Sequence, residues 1–377
     1  MRPSFRTLQG RFRLTCLAQV ATGLAYAGCV QAQTYITPSG TYGPGPYTDA
    51  FQFFGTHGVI QGSTTIYPAV PYPMGAGGAG VSVAGGGSAR INPDLGPQPG
   101  NFVIQSDYRS GAPNDALYVA NGTLTVEGSS DPSRLTYAMG HGQTVNGIYI
   151  PGETGPSVFV GARMYMSADG QDANAIRGYG VYANATVSDS TLVATGANGH
   201  GIRLWNRAVA TLANTDVTVS GAGAFGVFAT DNSTIDTTGG AINTTLGSAR
   251  GIYIDTSVGR LNGTNINTQG TSAYGIQAGA SNLSVTGGTI ATAGSAGHGL
   301  WLYGGTTATL SAATVPTTGA TARGIYVSGA ASVVANQSDI GTQGDGASAA
   351  YVTGAGSSLT MTGGSLTTTR ASAHGAY

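Results

Sequence analysis

The sequence of 377 residues predicts an all-β chain, a right-handed parallel β-helix of three-strand coils, and two observations carry that prediction. The first is a phrase, Ala-x-Gly followed by apolar, aromatic and apolar residues, that returns about every 25 residues. It stands as Ala249-Arg250-Gly251-Ile252-Tyr253-Ile254 and Ala322-Arg323-Gly324-Ile325-Tyr326-Val327, and in the variant Ala273-Tyr274-Gly275-Ile276-Gln277-Ala278. Anchored on its glycine, the series runs Gly180, Gly201, Gly226, Gly251, Gly275, Gly299, Gly324, Ala349 and Gly375, at intervals of 21, 25, 25, 24, 24, 25, 25 and 26. The second observation is three apolar stretches at nearly fixed offsets from that anchor. Each is too short, and too rich in Thr, Val, Ile, Gly and Asn, to be a helix.

The first stretch has apolar residues one and three places after the anchor, as in Ile202/Leu204, Ile252/Ile254, Leu300/Leu302 and Ile325/Val327. Alternation buries that face. A second column holds Leu212, Ile235, Leu261, Val285, Leu310, Val333 and Leu359, and a third holds Val217, Ile242, Ile266, Ile290, Val315, Ile340 and Leu366. Between the columns lie Gly, Ser, Thr, Asn and Asp, which take the positive φ or side-chain-bonded turns that three corners per coil require. That accounts for the 63 glycines, which lack collagen's every-third spacing. Stacking at about 4.8 Å per coil makes the roughly ten coils from Asp115 onward a rod on the order of 50 Å long.

Residues 1–32 read as a signal peptide. Arg2, Arg6, Arg11 and Arg13 precede the apolar run from Leu14 to Ala27, and Val30-Gln31-Ala32 leads to a cut at Gln33. A lipoprotein signal at Tyr26-Ala27-Gly28-Cys29 is disfavoured by Tyr26, where such signals want Leu. Cys16 and Cys29, the two cysteines, both fall in the removed segment, so no thiol is left for a disulfide, a metal or nucleophilic catalysis. The whole chain carries 15 basic and 16 acidic residues; without the four signal arginines the balance moves from −1 to −5, which argues against nucleic acid. The absence of lysine removes Schiff-base and Walker-type chemistry, and no later stretch is long and apolar enough to span a bilayer as a helix.

Residues 33–100, rich in Gly, Pro and Tyr, predict a poorly ordered leader or irregular cap, with Phe51-Gln52-Phe53-Phe54 and Val81-Ser82-Val83 adding a strand or two. Residues 101–377 predict the β-helix. The interval from Gly147 to Gly180 is 33, so a loop around Ala168-Asp169-Gly170-Gln171-Asp172 is expected to leave the prism. Gly375-Ala376-Tyr377 opens a further coil, and the region reads as truncated at its C-terminal end.

The Gly-Ile-Tyr-Val phrase, the Gly-Gly-x-Ile variants such as Gly287-Gly288-Thr289-Ile290, the signal and the lack of cysteine after it together resemble the passenger of a bacterial autotransporter of the pertactin-like type. The resemblance covers roughly Asn101 to Tyr377. It implies a surface-displayed, often adhesive β-helix followed by an outer-membrane barrel, and no barrel-like set of strands follows Gly363 here.

One position after the first apolar residue points outward and holds Tyr149, Tyr182, Arg203, Phe228, Tyr253, Gln277, Trp301, Tyr326, Tyr351 and Tyr377. Such a ladder serves either as a platform for sugars or a partner's rings, or as rings that stack from coil to coil and stiffen the rod. Tyr182, Phe228, Tyr253, Trp301, Tyr326 and Tyr351 are the candidate surface-binding residues. No catalytic, cofactor-binding or metal-binding residue is assigned. His200, His298 and His374 share one slot with Arg250, Tyr274 and Arg323, a slot too chemically mixed for catalysis. Asp216 and Asp339 share an offset five coils apart, too far to act on one bond. Asp169, Asp172 and Asn174 offer oxygens, but too few and at the wrong spacing for calcium. Gly75 to Gly80 matches a dinucleotide glycine pattern with no helix to follow it.

The expected function is that of a non-enzymatic exported passenger acting in adhesion or host and surface interaction, at the cell surface, outside the cell or in the periplasm. Its partners would be a host-surface protein or glycan, or neighbouring bacterial cells, with no cofactor. The alternatives are a β-helical polysaccharide lyase or hydrolase, and an inactive fragment of a broken gene.

Overall fold

The computed structural model describes residues 40–42, 45–47, 51–61, 64–66, 79–95, 100–107, 115–370 and 372–377. The expected signal peptide lies outside these residues, as does nearly all of the Gly75 to Gly80 stretch. Every regular element among the described residues is a strand, and all pairings are parallel, each strand lying on one from the neighbouring coil. The chain is a parallel β-helix of about ten turns.

One ladder carries the repeating phrase through Leu117, Ile148, Ile176, Ile202, Val227, Ile252, Ile276, Leu300, Ile325 and Ala350. All of these except Ala350 are fully buried, and Ala350 is 1 % exposed. Ile252, Ile276 and Ile325 therefore share one inner line, as the periodicity requires.

The register corrects the anchor in one coil. Ile176 pairs with Ile148 and Ile202, so the coil lengths there are 28 and 26, where Gly180 as anchor implies 33 and 21. Tyr179-Gly180-Val181-Tyr182 imitates the phrase but forms a corner: Gly180 has φ 97°, and Val181 and Tyr182 are 48 % and 49 % exposed. The extra residues sit between Pro151 and Ser157, at the corner after the first strand. Ala168 to Asp172 is not a loop leaving the prism, because its turn recurs in the following coils. Every change of coil length from Ile148 onward occurs at that first corner; the steps from second to third strand and from third strand to the next coil stay constant.

The third column falls on one line, Val217, Ile242, Ile266 and Ile290 in succession, then Val315, Ile340 and Leu366. The second column does not, because its strand turns two residues inward. Leu212 lies on Thr237, Leu261, Val285, Leu310, Ala335 and Met361, while Ile235, Val333 and Leu359 lie on the line of Ala210, Gly259, Leu283 and Ala308. In several coils one of the pair is large and the other small, as in Ala210/Leu212, Gly259/Leu261 and Val333/Ala335, which keeps the interior filled at constant width.

The anchor glycine is a steric requirement. A Cβ on Gly201, Gly226, Gly251, Gly275, Gly299 or Gly324 would lie 2.2 to 2.3 Å from a branch carbon of Val217, Ile242, Ile266, Ile290, Val315 or Ile340 of the same coil. Ala175 and Ala349 hold the anchor place in the coils whose third strand carries Leu192 and Leu366, unbranched at Cβ.

Strands occur well before Asn101. Gly40–Tyr42 lies on His57–Gln61, which lies with Phe51–Phe54 on Val81–Asn92, and that strand lies on Leu117–Glu127. Phe51, Ile60 and Ile66 are fully buried in the core that continues below. Composition hides this, since glycine and proline dominate the segments between these strands.

A left-handed residue recurs in the third corner: Asn198, Gly223, Ser248, Ser272, Ala296, Thr321 and Gly346, with φ between 53° and 68°. A β-branched residue is the worst occupant. Thr321→Gly is expected to raise stability by about 0.5 to 1 kcal/mol, the left-handed strain relieved exceeding the chain entropy added. A rise in the urea midpoint would show it.

Candidate functional site

Two columns on the outer side of the first strand build one continuous face. The outward position of the strand runs Tyr118, Tyr149, Arg177, Arg203, Phe228, Tyr253, Gln277, Trp301, Tyr326, Tyr351. The slot before the anchor runs Asn174, His200, Phe225, Arg250, Tyr274, His298, Arg323. Of the six candidate residues, Phe228, Tyr253, Trp301, Tyr326 and Tyr351 stand on this face, and Tyr182 does not; it lies at the exposed first corner.

The rings face one another along the rod. Phe228 stacks on Tyr253 at 5.2 Å and 14°, Trp301 on Tyr326 at 6.0 Å and 9°, and Tyr351 on Tyr377 at 4.9 Å and 5°. Phe225 joins the first stack against Phe228 and His200, and Tyr274 stacks on His298 at 5.2 Å. Tyr326 meets Tyr351 edge-on.

Arginines are interleaved with these rings. Arg177 lies between Tyr149 and Trp205 at 4.8 and 5.0 Å, and Arg203 between Trp205 and Phe228 at 5.1 and 5.7 Å. Arg250 lies against Phe225, Tyr253 and Tyr274, and Arg323 against Tyr326 and Tyr351 at 4.6 and 4.1 Å. Such contacts stabilise by about 0.5 to 2 kcal/mol each, depending on desolvation. Burial pulls the Arg203 and Arg250 guanidiniums below their ordinary value, for Arg203 with help from the positive charge of Arg177. Burial, followed by a hydrogen bond with Tyr303, pushes the Tyr253 phenol up. The sequence places Arg203 in the ladder, but the misplaced anchor hides Arg177; taking Ala175 as anchor would reveal it.

At several coils the slot before the anchor is a buried polar column. Asp115 accepts from the Asn146 backbone N–H at 2.8 Å, Asn146 Oδ1 from Asn174 N–H at 3.0 Å, Asn174 Oδ1 from His200 N–H at 3.2 Å, and His200 Nδ1 from Phe225 N–H at 3.1 Å. His298 Nδ1 accepts from Arg323 N–H in the same way, at 3.1 Å. The slot shared by His200 and His298 is thus a backbone-capping position, which explains why its chemistry varies. Burial lowers His200 to about 3 and His298 to about 4, and raises Asp115 to about 6.

Other polar residues singled out in the sequence do not gather into one site. Asn174 belongs to the polar column, while Asp169 bonds His141 and the Gly142 N–H, so the oxygens of the corner do not converge. Asp216 accepts from Ala241 N–H at 2.9 Å and Asp339 from the Ser365 hydroxyl at 2.7 Å. Glu127 is held by Arg90 and Asn92.

No family model and no curated protein matches the sequence. Among solved structures, the chain resembles one in the cryo-EM structure of the Vag8–C1 inhibitor complex, with 18 % identity over 90 % of this chain and 73 % of that one and a TM-score of 0.56. A looser match, at 10 % identity over 88 % of this chain and 85 % of the other and a TM-score of 0.35, is the T265N mutant of the periplasmic alginate epimerase AlgG. The first shares the β-helical fold.

Proposed function

We propose that this chain is the passenger region of an exported autotransporter and acts, without catalysis, as a rod that attaches to a surface partner through the ring and guanidinium face. The observation that carries the reading is that face: rings and cations continuous from Tyr149 to Tyr377 on one side of a β-helix. Support comes from the β-helical fold shared with a chain of the Vag8–C1 inhibitor complex. Tyr, Trp and Arg are also the residues that concentrate energy at interfaces. The partner is a host-surface protein or glycan, or a neighbouring bacterial cell.

Replacing Tyr253, Trp301 and Tyr326 together by serine is expected to reduce attachment of the purified rod to host cells at least about tenfold, the equivalent of about 1.4 kcal/mol. Circular dichroism would verify that the variant keeps its β-spectrum. Unchanged attachment by a folded variant would leave the ladder a purely structural stack.

A further inference from the structure

We propose that the ligand of this face is a linear polyanionic glycan, carboxylated or sulfated, lying along the rod with its anions on Arg177, Arg203, Arg250 and Arg323. This deepens the surface-attachment reading and rests on it for its biological setting.

Three observations lead there. First, the four guanidiniums make no close ion pair: the ion pairs among the described residues use Arg90, Arg134, Arg260 and His141, and the carboxylates of Asp172 and Asp115 act on Arg203 and Arg177 only from beyond ion-pair distance. The Nε atoms of Arg177, Arg203 and Arg250 are buried without a hydrogen-bond partner, and these cations rest against rings. A desolvated cation clamped between rings is already ordered, and little further entropy is lost when it takes an anion.

Second, the ring stacking determines what the face can offer. Where rings lie at 9° to 14° to each other, as in Phe228/Tyr253 and Trp301/Tyr326, their faces cover one another and only edges reach outward. A guanidinium lying against a ring keeps its N–H groups at its edge, and with Nε buried in Arg177, Arg203 and Arg250 the terminal N–H groups are left as the fork that takes carboxylate or sulfate by two parallel hydrogen bonds. Tyrosine hydroxyls add further polar edges. A face of hydrogen-bonding edges with covered ring faces suits an acceptor-rich polyanion better than a partner's apolar anchors, which need open pockets.

Third, the cations follow the rod axis in two neighbouring columns. Arg177 and Arg203 are paired across adjacent coils of the outward ladder, about 4.8 Å apart, and Arg250 and Arg323 stand in the slot before the anchor, further along the rod by whole multiples of that step. One coil step is close to the length of one pyranose residue in an extended chain. Counted in coils from Arg177, the four stand at 0, 1, 3 and 6, so a polysaccharide with an anion on every residue can meet all of them along the rod.

The test is binding of the purified chain to immobilised polygalacturonate, dextran sulfate, uncharged dextran and polyglutamate across a salt series. Binding to one or both polyanionic glycans is expected, lost at high salt, with dextran silent; which of the two binds tells carboxylate from sulfate. Arg203→Gln is the cleanest variant, because Gln277 already occupies the same ladder position between Tyr253 and Trp301. It should weaken binding about tenfold, and the fourfold Arg→Gln variant should abolish it. Arg→Lys at the same places keeps the charge without the fork and should bind several-fold more weakly than the native chain. Equal binding of dextran, or polyglutamate binding that depends on the same arginines and exceeds the glycans, would overturn the assignment. So would unchanged glycan binding by a folded Arg203→Gln protein. A rod that binds cells independently of these arginines and of added polyanion would contradict the ligand while leaving the attachment reading in place; one that binds polyanion but no cell would do the reverse.

Discussion

Gly251→Ala is expected to destabilise the β-helix by about 3 kcal/mol, the upper part of the range for overpacking a close-packed interior. The new Cβ would lie 2.3 Å from Ile266 Cγ2 and 2.5 Å from the Gly275 carbonyl oxygen, so both a side chain and the next coil must move. Adding Ile266→Leu removes the branch carbon, as in the native coils that pair Ala175 with Leu192 and Ala349 with Leu366. Alone, that change is a volume-conserving swap costing less than about 1.5 kcal/mol. Together the two should recover at least about 1 kcal/mol relative to the sum of the singles, the carbonyl contact remaining. A denaturant double-mutant cycle reads the coupling directly. Strict additivity would mean that the anchor and the third column do not touch.

The second large effect is acid sensitivity. His200 and His298 are each 7 % exposed, and each uses Nδ1 to accept a backbone N–H from the next coil, a role that a proton on Nδ1 would abolish. Their folded values of about 3 and about 4 lie below the ordinary 6.5, so the unfolded chain takes up protons first. Stability is then full above pH 6.5 and is lost as pH falls toward the folded values. At pH 5 each histidine accounts for a loss of about 2 kcal/mol. Asp115 acts in the opposite sense. Its value, raised from 3.8 to about 6, contributes stability below pH 3.8 that disappears as pH rises through 6, an offset of about 1 kcal/mol at pH 5. The net expectation is a loss of about 3 kcal/mol between pH 7.5 and pH 5. Replacing both histidines by asparagine, the residue that fills the slot as Asn146 and Asn174, should remove the loss. Urea midpoints at the two pH values, native against double variant, test this; a native profile that stays flat would contradict it.

The architecture was legible because its driving pattern is local. Inward aliphatics recur with the coil, and the third column, almost wholly β-branched, projects one apolar residue from a strand of constant length, so spacing alone identifies it. The second column was mixed because its strand turns two residues inward, and an offset from the anchor cannot tell Leu212's line from Ile235's. The misplaced Gly180 has a similar origin: Tyr179 to Tyr182 repeats the residue types of the phrase, and only pairing of Ile176 with Ile148 and Ile202 shows which glycine turns a corner. The N-terminal coils were hidden because turns rich in Gly and Pro outnumber the few inward residues, such as Phe51 and Ile60, that build them. Five of six candidate ring positions were readable from alternation. Arg203 in the ladder and Arg250 and Arg323 in the slot were readable one by one, but their place between the rings was not, since the convergence of the two columns is a product of folding. The buried column from Asp115 to His200 left no signal either, because Asp, Asn and His at corner positions are ordinary turn residues.

Spin-label distances test the stacking most directly. With Cys16 and Cys29 replaced, label pairs join Thr186 to Arg260, Ser284, Thr309 or Val334, positions that pair in succession on the outer side of the second ladder. Each added coil should lengthen the distance by about 4.8 Å, in a straight line against coil number. Distances that scatter, or that grow with sequence separation without a constant step, would show that these segments do not lie one above another.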